Sequence, residues 1–188
     1  VTEAVGSPLT RANTQFGELM AAGDYFSTPN VVTTWGELDI RVRAQVDSFP
    51  NGYAFLADKK VYWLTLTAGG STQLLNTRIY WSSASGGGST NFSSIPFPTS
   101  QFGVRNWYRV TYDAATGDVK FFTADGNLEA PAISDYVQLG TTQNSGAKDI
   151  AINTDSFLAG AYGAAPTFYI FDGDIYRSQI FNEIDGTT

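Results

Sequence analysis

The chain has 188 residues, a length that suits one domain with a sizeable core. Its net charge is −7 with no basic cluster, which argues against a nucleic-acid partner, because an acidic surface repels phosphate backbones. With no Cys and no His it has no disulfide, thiol nucleophile, Cys/His zinc site or Ser-His-Asp triad.

Charged residues are only 15%, below the usual quarter, while aromatics reach 14%, and Ser, Thr, Gly and Asn make up the balance. That mix favours an all-β protein. No run has the length of an apolar membrane span, so membrane insertion is not expected. The chain starts at Val1 and is read as processed or as a piece of a longer protein.

Val1 to Ala22 shows no alternation and reads as an arm or linker, with a short helical turn over Gln15 to Met20. From Gly23 to Thr188 the pattern is strands and turns. Asp24 to Thr28 is a short strand stopped by Pro29. Glu37 to Asp47 alternates cleanly, with Leu38, Ile40, Val42, Ala44 and Val46 on one face and Glu37, Asp39, Arg41, Arg43, Gln45 and Asp47 on the other. Tyr53 to Ala57 follows, then a turn at Asp58-Lys59-Lys60, then Val61 to Thr67 and Gln73 to Ser82. Ser83 to Thr99 reads as a long loop with Gly86, Gly87 and Gly88 in a row; without a following Lys or helix signal it is a rim loop and not a phosphate cradle. Trp107 to Tyr112 and Val119 to Ala124 form a hairpin. Pro131 to Gly140 is a strand or connection, and Phe157 to Gly160, Phe168 to Ile170 and Gly173 to Asn182 complete the series. Short strands divided by turn signals predict a two-sheet sandwich or jelly roll.

Two stretches carry more than the pattern. WYRVTYDAATGDVKFFTADG (Trp107 to Gly126) presents Trp107, Val110, Thr111, Tyr112, Asp113, Gly117, Asp125 and Gly126 in order, and FDGDIYRSQIFNE presents Phe171, Gly173 and Ile175. In these residues the chain resembles the laminin-G-like branch of the concanavalin A-like lectin/glucanase domains. Ser178 stands where that family has an aliphatic residue. The wording of DYFSTPN (Asp24 to Asn30), ELDIRV (Glu37 to Val42) and IYWSS (Ile79 to Ser83) is similar to versions of the domain in virion proteins of actinobacterial tailed phages. The resemblance covers roughly Gly23 to Gly186. It implies an antiparallel jelly-roll sandwich of two curved sheets, a fold whose members bind glycans, cleave them or build assemblies.

WGELDIRVR (Trp35 to Arg43) begins like the catalytic strand of a glycan hydrolase. Glu37 and Asp39 share a strand face roughly 7 Å apart, within the range of glycosidase carboxyl pairs. Arg41 and Arg43 project from that same face, and a neighbouring cation lowers a carboxyl pKa where a general acid needs it raised. The hydrolase branch implies a third carboxylate three or four residues after the Asp, where this chain has Val42 and Arg43. The pair therefore reads as the polar edge of a strand. Asp113, Asp118, Asp125, Glu129, Asp172 and Asp174 fall mostly at turns, where Asp is common for backbone reasons.

Glycans pack on aromatic rings and hydrogen-bond to polar side chains. Tyr53, Trp63, Tyr80 and Trp81 lie in strands near the Ser-Gly loop. Core packing is the simpler reading for Trp81 and Trp107, since Trp81 shares a face with Ile79; Tyr80 with Arg78 is the exposed pair. The candidate ligand-binding set is Tyr80, Arg78, Trp63 and Tyr53. No cofactor is required. The resemblance implies calcium at a loop rim, for which Asp113, Asp118, Asp172 and Asp174 supply oxygens, although no spacing matches a dedicated loop and a solvated turn is the simpler reading.

The expected function is non-catalytic adhesion to a glycan or bacterial surface polymer, from the surface of a phage particle and therefore extracellular. The alternative is a capsid- or tail-decorating module that contacts other virion subunits through the arm, as an oligomer within the particle. A glycoside hydrolase is the third reading.

Overall fold

The computed structural model describes residues 26–27, 36–48, 53–69, 72–80, 87–151, 158–160, 171–181 and 183–186. The predicted arm with its helical turn, Phe168 to Ile170, Trp81 and Gly86 lie outside them. The strands in chain order are β1 (Phe26–Ser27), β2 (Glu37–Val46), β3 (Tyr53–Asp58), β4 (Tyr62–Gly69), β5 (Thr72–Tyr80), β6 (Gly88–Phe92), β7 (Arg105–Asp113), β8 (Asp118–Asp125), β9 (Val137–Gln138), β10 (Gln143–Asn144), β11 (Leu158–Ala159) and β12 (Gly173–Phe181). Short 3-10 turns occupy Thr99–Gln101 and Ile133–Asp135.

All pairings are antiparallel and make two sheets. The first runs β1-β11-β3-β4-β5-β6; the second runs β10-β8-β7-β2-β12, with β9 on β8. Alternation decides what lies between them. Leu38, Ile40, Val42, Ala44 and Val46 of β2 pack with Tyr108, Val110 and Tyr112 of β7 against Ala54, Leu56, Leu64, Leu66, Leu75 and Ile79 of the other sheet. Each such fully buried Leu or Ile contributes about 1.5–3 kcal/mol relative to exposure.

Three expectations change. Ser83 to Thr99 is not loop throughout, because β6 pairs with β5 from Asn76↔Phe92 to Tyr80↔Gly88. Its polar sequence GSTNF hides the period, yet the ladder needs backbone amides and not apolar side chains. Second, the polar side of β2, which lies between β7 and β12, is covered as well as its apolar side. Asp39 is at 0% exposure, with Arg41 and Arg43 nearly as low. The cover comes from residues 126–136 and 183–186. Third, Trp107 is fully buried but outside the inter-sheet core, in a satellite cluster with Ala124, Tyr136 and Phe122; its Nε1 donates to Leu128 O at 2.8 Å.

Candidate functional site

The register of β3, β4 and β5 gathers the four predicted ligand-binding residues on the outer face of the first sheet. Tyr53 is opposite Thr67, Trp63 is opposite Arg78, and Tyr80 follows Arg78 by two residues on the same face. The rings make a continuous row. Tyr53 and Phe55 are 6.1 Å apart, Phe55 and Trp63 5.8 Å, and Trp63 and Tyr80 6.1 Å, the last two edge-to-face. Each such pair is worth about 0.5–1.5 kcal/mol beyond area burial. The Arg78 guanidinium lies 4.6 Å from the Tyr80 centroid and 5.5 Å from that of Trp63. A cation so placed stiffens the row.

Access differs along it. Trp63 and Phe55 are buried; Tyr53, Arg78 and Tyr80 are half-exposed. The β6 margin is more open, with Thr90 opposite Arg78 and Phe92, 41% exposed, opposite Asn76. Glycine at position 88 lets the Tyr80 ring lie across the neighbouring strand: a Cβ there would stand 3.0 Å from Tyr80 Cδ1 and 3.0 Å from Ile79 O.

Polar groups sit among the rings. Asn76 is fully buried, and its Oδ1 accepts from Trp63 Nε1 at 3.2 Å and from Thr65 Oγ1 at 3.3 Å. Asn76 Nδ2 and Arg78 Nε are buried donors with no acceptor among the described residues. An unpaired buried donor costs about 1–3 kcal/mol; at half-exposed Arg78 an incoming oxygen relieves that cost, whereas fully buried Asn76 is closed off. Phe55, Asn76, Thr90 and Phe92 were not among the predicted residues. The even spacing of Thr90 and Phe92 with Gly88 was the available signal for β6.

The four Asp residues fall in two groups, Asp113 with Asp118 and Asp172 with Asp174. Asp113 is opposite Glu37 at the start of β2, and Asp174 is opposite Gln45 near its end, about 27 Å away at strand rise. Asp113 accepts from the Thr116 hydroxyl at 2.9 Å and the Ala115 amide at 2.8 Å, and Asp118 from Asn144 at 3.0 Å. Asp172 accepts from the Ser48 hydroxyl, and Asp174 from Tyr176 at 3.2 Å. Among the described residues no three acidic side chains converge on a metal position. Asp113 and Asp118 instead rim a cleft of about 210 Å³ with Arg109, Lys120 and Asp185. The Thr116 hydroxyl holds the Asp113 carboxyl below its ordinary range, helped by the backbone amides of Ala115 and Thr116 and by Lys120. That direction suits an ionised turn residue and not a general acid.

Glu37 and Asp39 are occupied with structure. Glu37 Oε2 accepts the Ile184 amide at 3.0 Å, and Asp39 Oδ2 accepts the Asp185 amide at 3.2 Å. Asp39 is also held by Arg41 Nη2 at 2.6 Å and by Arg109 through two bonds. Both carboxylates fasten the 183–186 turn to the sheet, and Asp39 has no exposed surface to offer a substrate.

No protein-family model matches the sequence, and no curated protein sequence matches it. Solved structures do. A heptameric SAP-like pentraxin from Limulus polyphemus superposes with a TM-score of 0.58 at 10% identity, over 89% of this chain and 73% of that one. The fold is an antiparallel jelly-roll sandwich. Domain 4 of a GH43 extracellular arabinanase from Geobacillus stearothermophilus, solved with arabinotriose, gives 0.56 at 13% identity over 94% and 76%. The CBM40 of Ruminococcus gnavus IT-sialidase, solved with α2,3 sialyllactose, gives 0.53 at 14% identity over 84% and 91%.

Proposed function

We propose that this chain is a non-catalytic glycan-adhesion domain that binds through the outer face of the first sheet. The observation that carries the reading is the single row of Tyr53, Phe55, Trp63 and Tyr80, flanked by Arg78, whose Nε has no acceptor among the described residues. One sugar's C–H face stacks on Tyr80 and another's on Phe92, four register positions or about 13 Å away at strand rise, while hydroxyls between them accept from Arg78 and exchange bonds with Thr90. The jelly-roll fold, shared with domains solved in complex with sialyllactose and arabinotriose, supports the reading. The similarity of Asp24–Asn30, Glu37–Val42 and Ile79–Ser83 to phage virion domains supports display on a particle surface, where many weak sites add to a firm attachment. The site proposed here draws on no calcium, and the test below is run with and without it.

A second reading, an assembly module contacting virion subunits, draws on exposed apolar residues: Val137 on β9, 70% exposed, and Ile95, 51% exposed. The test is a glycan array probed with the full chain displayed multivalently, including actinobacterial wall polymers, with and without calcium. Saturable, calcium-independent binding is expected; a blank array hands the function to the assembly reading.

A further inference from the structure

Five of the chain's seven arginines lie on the outer face of the second sheet: Arg41, Arg43, Arg105, Arg109 and Arg177. Two cross-strand positions set arginine directly against arginine, Arg41 with Arg109 and Arg43 with Arg177. Like charges so placed repel unless an anion lies between them. The first pair has its anions. Asp39 bonds to both arginines, and Asp185 Oδ1 adds a 2.6 Å contact to Arg109, so two cations meet two carboxylates.

The second pair is not balanced. Arg43, Arg177 and Arg105 surround one carboxylate, Glu129. Arg43 Nη1 donates to Glu129 Oε1 at 2.6 Å, and Arg177 reaches only the Glu129 carbonyl at 3.1 Å. Among the described residues the Arg105 guanidinium donates no hydrogen bond; its carbon lies 3.8 Å from the centroid of Tyr176, which also has Arg43 at 5.8 Å. The Nε atoms of Arg105 and Arg177 are buried and have no acceptor among the described residues. The bulge between Ile175 and Arg177 puts Tyr176 and Arg177 on this one face, the kind of re-aiming for which bulges are used. Asp174 shares the face but is turned to the Tyr176 hydroxyl.

We propose that Arg43, Arg105 and Arg177, arranged around Tyr176, form a binding site for an oxyanion, the carboxylate or phosphate group of an acidic ligand, and that Glu129 is the chain's own displaceable occupant of it. Guanidinium donors in a planar fork suit either anion. The Glu129 side chain is 81% exposed and sits on the connection after β8, so an incoming anion displaces it without opening the core. Its carboxyl is held below the ordinary range, first by the Arg43 hydrogen bond and then by the charges of Arg43, Arg105 and Arg177, as expected for a group already filling an anion site. The site is separate from the aromatic row, on the other sheet.

Titration calorimetry of the full chain at constant ionic strength tests the proposal, with sodium glucuronate, inorganic phosphate and neutral glucose as probes. Saturable binding of glucuronate or phosphate, and none of glucose, is expected; the tighter of the two assigns the ligand as an acidic sugar or a phosphoester. Glu129→Gln removes the competing carboxylate and should tighten anion binding on the order of tenfold. The double variant R105Q/R177Q should abolish it, and Tyr80→Ala should leave it unchanged. The proposal is overturned by the absence of a saturable anion response in both the native chain and Glu129→Gln, or by R105Q/R177Q binding within about twofold of the native chain. Glu129 is exposed, so its variant keeps the test decisive if the arginine variant fails to fold.

Discussion

Arg109 holds Asp39 with two parallel hydrogen bonds, Nε to Oδ1 at 2.9 Å and Nη2 to Oδ2 at 2.8 Å. Arg41 grips the same carboxylate from its own strand and reaches Gly186 O at 3.0 Å. The two-carboxylate motif at Glu37 and Asp39 is thus the anchor of the 183–186 turn.

Removing the charge at its centre takes the carboxylate from buried Arg41 and leaves buried Arg109 with Asp185 alone. Asp39→Asn should cost about 3–5 kcal/mol, read by urea unfolding. A loss below about 1 kcal/mol would show that the cluster does not hold the turn.

Gly88 is expected to matter for binding more than for stability. Gly88→Val places side-chain atoms against Tyr80 Cδ1 and should tilt that ring out of the row. Binding to any glycan found should weaken at least about tenfold, equivalent to ~1.4 kcal/mol, while the thermal midpoint moves little. Unchanged affinity would take Tyr80 out of the site.

Asp113 gives a pH signature. Its folded pKa lies below the unfolded value, with the Thr116 hydroxyl as the main cause. The stabilisation is therefore fully present above the unfolded carboxylate pKa and disappears as pH falls through the folded one. Thr116→Val should be less stable than the native chain at neutral pH and equal to it in strong acid. NMR titration of Asp113 should show its pKa rising toward the ordinary value in the variant; no rise would assign the shift elsewhere.

Ser178 is opposite Val42 on the core-facing side of β12, and its buried Oγ has no partner among the described residues. Removing the hydroxyl removes an unsatisfied group. Ser178→Ala should raise stability by about 1 kcal/mol in chemical denaturation; a loss of similar size would mean that the oxygen is solvated.

The inter-sheet core was legible because Leu38 to Val46 alternate without interruption and a two-residue period has one physical reading. Tyr53, Trp63, Arg78 and Tyr80 stood out as aromatics and a cation in strands near the Ser-Gly loop, and the register of β3, β4 and β5 puts them on one face. What covers the other face of β2 was not legible. Asp39, Arg41 and Arg43 read as solvated, yet Gly126, Glu129 and Asp185 fold over them from far along the chain, and nothing local to β2 records that. The strand at Gly88–Phe92 was hidden for another reason: Ser, Thr and Asn at a sheet margin pair through backbone alone and leave no apolar stripe. Ser178 was visible as a departure from the family pattern, but its unpaired hydroxyl needed the bulge at Tyr176 to be seen.

The most direct test of glycan adhesion compares the native chain with Tyr80→Ala on the strongest glycan from the array, measured as equilibrium affinity with the monovalent chain. The account predicts saturable binding that falls at least about tenfold in the variant, with Glu129→Gln unchanged on any neutral glycan. Equal affinity of the native chain and Tyr80→Ala would contradict it and move the binding site off the first sheet.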